Sequence, residues 1–123
     1  MMKTETIKIK TSKSVQQISN ALRTFNCNVD HYTDPLQTEY PSLSVMMYGR
    51  PRFLELFSHP GGADALWEVH VAVHERPDHC MVILTAVGTG YWGAGWHKYK
   101  TGEKSPMIEF SKDYMYQIAQ VIK

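Results

Sequence analysis

Apolar and polar positions alternate from Thr4 to Lys10. Ile7 and Ile9 fall on one side and Thr6, Lys8 and Lys10 on the other, the period-two pattern of a half-buried strand. Ser14-Val15-Gln16-Gln17 then has the composition of a capping box, in which the serine hydroxyl accepts from the third helical amide while the glutamine returns to the cap. Val15, Ile18, Leu22 and Phe25 follow at helical spacing, which predicts a helix over 14–26 with Asn26 and Asn28 as left-handed terminators. Residues 28–42 contain Pro35 and Pro41 and keep no period, so a long connection is expected there.

Leu43–Tyr48 and Arg52–Ser58 present as two strands on either side of Gly49-Arg50-Pro51. The second is apolar on both faces, which suits a central strand or one packed between a helix and a partner. His59–Asp64 has the punctuation of a turn. From Trp67 to Glu75 the alternation is complete, with Trp67, Val69, Val71 and Val73 on one face and Glu68, His70, Ala72 and His74 on the other. Arg76-Pro77-Asp78-His79 suits a type I turn, and Cys80–Val87 returns. Placing Arg76 opposite His79 sets Val73 against Val82, Val71 against Leu84 and Val69 against Ala86. A slip of one residue would mix apolar with polar on both faces, so this register is preferred.

Gly88 to Lys100 is expected to continue as strand, turn near Gly93-Ala94, and end in a short strand. A C-terminal helix covers at least 111–122, starting either there or at Pro106 after a Ser105 cap, with Met107, Phe110, Tyr114, Ile118 and Val121 as its apolar stripe. The order β-α-β-β-β-β-(β)-α predicts one α+β domain over 1–123, an antiparallel meander of five to six strands with both helices on one face. In element order alone it resembles a trimmed helix-grip fold, in which a C-terminal helix closes over a curved sheet and a ligand cavity lies between. That likeness of architecture carries no residues across.

Composition narrows the function classes. At 123 residues the chain has room for one domain, and a formal net charge of +1 gives no overall field for a phosphate backbone. Nucleic acid is therefore not an expected partner. Cys27 and Cys80 are too few for a disulfide framework. Neither a signal-peptide pattern nor an apolar run of the ~20 residues a spanning helix needs is present, so a cytoplasmic protein without membrane contact is expected.

Candidate chemistry concentrates in two places. Tyr91, Trp92, Trp96, His97 and Tyr99 share a short stretch with Gly88, Gly90, Gly93 and Gly95, where large rings beside bare backbone can wall a small-molecule site or pack over the glycines. Gly88-x-Gly90-x-x-Gly93 spells the dinucleotide fingerprint but follows a hairpin strand and opens no helix, so it does not support phosphate binding. On the Trp67–Glu75 strand, Glu68 and His70 lie ~6.8 Å apart at i and i+2 and can converge, whereas His74 stands ~13 Å from His70. Glu68, His70 and His97 are thus the candidates for acid–base or metal-ligand work, with a solvated sheet face as the simpler alternative. Ser58-His59 and Asp30-His31 are sequence neighbours and make no triad. Cys27 near a helix C-terminus and Cys80 at a strand start do not suit an activated thiolate.

The sequence therefore points to a small binding module for an apolar or aromatic ligand or a protein partner, using residues 88–100. The alternatives are a small hydrolase or isomerase using Glu68, His70 and His97, and a protein-interaction module without a small ligand. No cofactor or metal is assigned. The half-apolar outer face, where Met81, Ile83 and Val87 stand beside the Glu68–His74 row, also predicts a symmetric homodimer through it or through the Trp92 and Trp96 segment.

Overall fold

The computed structural model describes residues 3–32, 39–49, 67–88 and 106–123. The alternating N-terminal segment forms β1 (Lys3–Thr11), and the helix after it is α1 (Val15–Arg23). Its capping box is complete: the Gln17 N–H donates to Ser14 Oγ at 3.1 Å, and the Ser14 N–H donates to Gln17 Oε1 at 2.9 Å. The helix stops earlier than expected. Thr24 is its C-cap in right-handed conformation, and its hydroxyl donates to the Ala21 carbonyl at 2.6 Å, so a side chain ends the helix where asparagines were expected.

The expected long connection contains a short strand, β2 (Asn28–His31), which pairs antiparallel with β3 (Leu43–Gly49). β4 (Trp67–Glu75) and β5 (Cys80–Gly88) form the predicted hairpin, with the Arg76 N–H donating to the His79 carbonyl at 2.8 Å across its turn. The register is the predicted one, with Val73 opposite Val82, Val71 opposite Leu84 and Val69 opposite Ala86. The C-terminal helix, α2, runs from Pro106 to Ile122.

All strands pair antiparallel in the order β1-β5-β4-β3-β2, so β2 to β5 form a meander and β1 closes the far edge beside β5. β3 pairs directly with β4; the strand expected at 52–58, the turn expected at 59–64 and the strands expected over 89–100 lie outside the described residues.

Both helices cover one face. Ile18 and Leu22 of α1 join Val45, Met47, Val69, Val71, Val73, Val82 and Leu84 in a single core. Against them α2 sets Ile108, Met115, Ile118, Ala119 and Ile122. Ile118 is buried as predicted, while Tyr114 and Val121 only flank the core and their places go to Met115, Ala119 and Ile122; the side chains of Met107 and Phe110 fall outside the described part. Two causes are visible. Ser111, fully buried, sends its hydroxyl between two strands, and Tyr114 stacks on Trp67 with ring centroids 4.2 Å apart. Gly49, paired with Trp67, makes room for that indole, since a Cβ there would meet Trp67 Nε1 at 3.0 Å. Lys13 anchors the other end of α2, donating from Nζ to the carbonyls of Val121 at 3.1 Å and Lys123 at 2.7 Å, where the helix presents its partial negative charge.

Candidate functional site

Strand alternation turns Glu68, His70, Ala72 and His74 to the face that the helices leave open, and the neighbouring strands decide what meets them. Tyr48 of β3 stands opposite Glu68, Met46 opposite His70, and Thr85 and Val87 of β5 flank the same two residues. Glu68 and His70 do converge: Nε2 of His70 lies 2.7 Å from Oε2 of Glu68, with the His70 side chain 20% and the Glu68 side chain 22% exposed. Tyr32, just beyond β2, reaches across β3 and lays its ring on His70, centroids 4.0 Å apart and planes tilted by 34°. One row away, the Tyr48 hydroxyl donates to Asp30 Oδ2 at 2.8 Å. That bond, with smaller contributions from desolvation and the carboxylate's charge, raises the Tyr48 phenol above its ordinary range, because Asp30 accepts from the neutral form.

The backbone under Glu68 is held from the covered side. Arg76 and His79 exchange a ladder bond, so the pairs two residues apart down the hairpin, ending at Glu68 and Val87, are of the hydrogen-bonded kind. At that last pair the Ser111 hydroxyl bridges the two groups, accepting from the Glu68 N–H at 3.0 Å and donating to the Val87 carbonyl at 2.8 Å. A helix of the core layer thus fixes the strand end from which Glu68 projects.

At the other end of the same face His74 is almost fully buried, and its Nδ1 makes no hydrogen bond among the described residues. It lies 3.6 Å from Oε1 of Glu39, which the guanidinium of Arg76 holds at 2.8 Å. The Arg76 hydrogen bond, then its charge, lowers the Glu39 carboxyl below its usual range.

Of the sequence candidates, then, Glu68 and His70 are brought together. Tyr91, Trp92, Trp96, His97 and Tyr99 lie outside the described residues. His74 joins neither, as its strand spacing required. Asp30 and His31 turn to opposite faces by strand alternation, so they form no dyad. Burial raises the Cys27 and Cys80 thiols, which keeps both protonated and unreactive near neutrality. Tyr32 and Tyr48 were not singled out from the sequence, and Asp30 was weighed only beside His31. Their signal was the short alternation Asn28-Val29-Asp30-His31-Tyr32, obscured by the prolines that follow.

Chemically the arrangement offers a ring surface, Tyr32 on His70, edged by two carboxylates already engaged in hydrogen bonds. Among the described residues no group of three or more His, Cys, Asp or Glu side chains is placed to hold a metal ion, and no helix is long and apolar enough to cross a membrane. No protein-family model matches this chain, and no curated protein or solved structure matches it.

Proposed function

We propose that the protein is a small-ligand binding module whose open sheet face takes a compact aromatic molecule carrying a hydrogen-bond donor. The carrying observation is the His70–Glu68 bond of 2.7 Å beneath a Tyr32 ring 4.0 Å away. A ligand ring packs beside Tyr32 and His70, and its N–H or O–H group adds to the lone pairs of Glu68 beyond the one turned to His70, since a carboxylate has about four acceptor positions. β5 passes at Gly88, one residue beyond the partner of Glu68, into the chain that carries the sequence-predicted aromatic residues.

Ligand-observed NMR with a library of small aromatic amines and amides, tyramine among them, tests this. Saturation transfer to such compounds is expected from the native chain and is expected to disappear in Tyr32→Ala and in Glu68→Gln. No transfer from any compound, or equal transfer in all three proteins, overturns the proposal.

A second reading rests on the same 2.7 Å bond, because a carboxylate that orients an imidazole is the supporting half of an acid–base pair. It predicts turnover of amides or esters that is abolished in His70→Gln. The predicted homodimer is a competing occupant of this face, where Met46, Met81 and Ile83 are half-buried. A solution-scattering mass that stays monomeric at tens of micromolar removes it.

A further inference from the structure

On the covered face, where α1 passes over the β2–β3 edge, the two layers do not close. A cleft of about 190 Å3 opens there, with Leu43 and Val45 of β3, Leu22 of α1 and Val29 of β2 as its apolar lining. Two basic side chains complete it: Arg23 from the last turn of α1 and His31 from the end of β2, both exposed. Val29 and His31 lie opposite Met47 and Val45 and so share the core side of the sheet. Asp30 between them also lines the cleft, and its carboxylate accepts from the Tyr48 hydroxyl on the side to which strand alternation turns it. Among the described residues no carboxylate pairs with Arg23; the ion pairs involve other cations. The adjacent helix end is also partly neutralised, since Thr24 N–H and hydroxyl donate to the Ala21 carbonyl and Phe25 N–H donates to that of Leu22. Apolar walls and a guanidinium with no carboxylate partner among the described residues therefore meet in one concavity.

We propose that this cleft binds a small organic monocarboxylate, its aromatic or branched aliphatic body against Leu43 and Val45 and its carboxylate against Arg23 and His31. Size agrees: a dry cavity of roughly 150 Å3 holds benzene, so this one admits a single ring and leaves the charged group at the mouth. Charge agrees as well, because a guanidinium fork matches the two oxygens of a carboxylate, and a neutral ligand of the same shape forgoes that pairing. The site stands on the opposite face of the sheet from Glu68 and His70, and neither proposal needs the other.

The test is a titration of the full chain with sodium benzoate, with benzamide as the neutral twin, followed by amide and arginine Nε–H shifts. Benzoate is expected to shift the amides of Leu22, Val29 and Val45. Arg23→Gln, an exposed change that should leave the melting temperature unaltered, is expected to weaken benzoate about three- to tenfold, the range of one partly solvated charge-assisted contact. Benzamide, bound more weakly by the native chain, should be indifferent to that change. Equal affinity for the two compounds, an Arg23→Gln variant that binds benzoate as the native chain does, shifts that map elsewhere, or no shift at tens of millimolar benzoate would each overturn the proposal.

Discussion

Ile83 and Leu84 are neighbours on one strand, yet they live in different chemistry. Leu84 faces the helices, is fully buried and stands between Ile7 of β1 and Val71 of β4. Ile83 points to the open face, is half-buried and stands between Lys8 and Ala72. The covered face is joined by dispersion and exclusion of water, with almost every large side chain apolar. The open face is joined by polar pairs, Glu68 with His70, Asp30 with Tyr48 and Thr6 with Thr85, laid over part-covered methionines and Ile83. The difference separates a face that carries the apolar core from one joined largely by polar contacts.

The strongest way to break this contrast is to truncate each neighbour. Leu84→Ala is expected to cost about 2–5 kcal/mol, the usual range for a closed core that cannot collapse around the lost side chain. Ile83→Ala, with solvent on part of its surface, is expected to cost under about 1.5 kcal/mol. Urea unfolding of the two variants measures the difference, and equal losses would mean that the open face is a second core.

The same contrast explains what could be foreseen. The β4–β5 hairpin was legible because both strands alternate and only one register keeps Val69, Val71 and Val73 against apolar partners. The Glu68–His70 pair was legible because it is local, two residues apart on one face. β2 was not, because a four-residue strand followed by Pro35 has too little pattern to outweigh its loop-like composition. Tyr32 on His70 and Tyr48 on Asp30 depend on strand order, which periodicity does not encode. Ile118 of α2 was legible, but the flanking places of Tyr114 and Val121 were not, because Ser111, polar by type, is among the most buried residues of the helix: its hydroxyl is valued for a bridge between strands. Met115 and Ile118 of α2 pack into the core, and among the described residues a cleft lies beneath α1.

Ser111 is where the faces communicate, so it supplies the next test in size. Ser111→Ala removes the acceptor of the Glu68 N–H and the donor to the Val87 carbonyl. If both groups are left without partners the expected loss is about 1–3 kcal/mol, the cost of stranding buried polar atoms. Hydrogen exchange at the Glu68 amide should accelerate beyond the global loss of stability, marking a strand end that has come loose. A variant as stable and as protected as the native chain would show that the two strands close on each other unaided, and that the hydroxyl does not position Glu68.

The smallest effect sharpens the open face alone. Hydrogen bonding to Asp30 raises the Tyr48 phenol, so its folded pKa exceeds the unfolded value of about 10. A raised pKa means that folding favours the protonated phenol. Its contribution is therefore complete below pH ~10 and declines as pH rises through the folded value, where deprotonation removes the donor and sets two negative charges side by side. Tyr48→Phe has no phenol to lose, so the stability difference between native chain and variant should narrow across that alkaline window while staying level from neutral pH to about 9. Tyrosine absorbance at 295 nm should agree, with the variant lacking a late-titrating group. A difference that is constant from pH 7 to 11 would mean the hydroxyl and the carboxylate are not bonded in solution. One of the two polar pairs beside the Tyr32–His70 stack would then be free to turn toward a ligand.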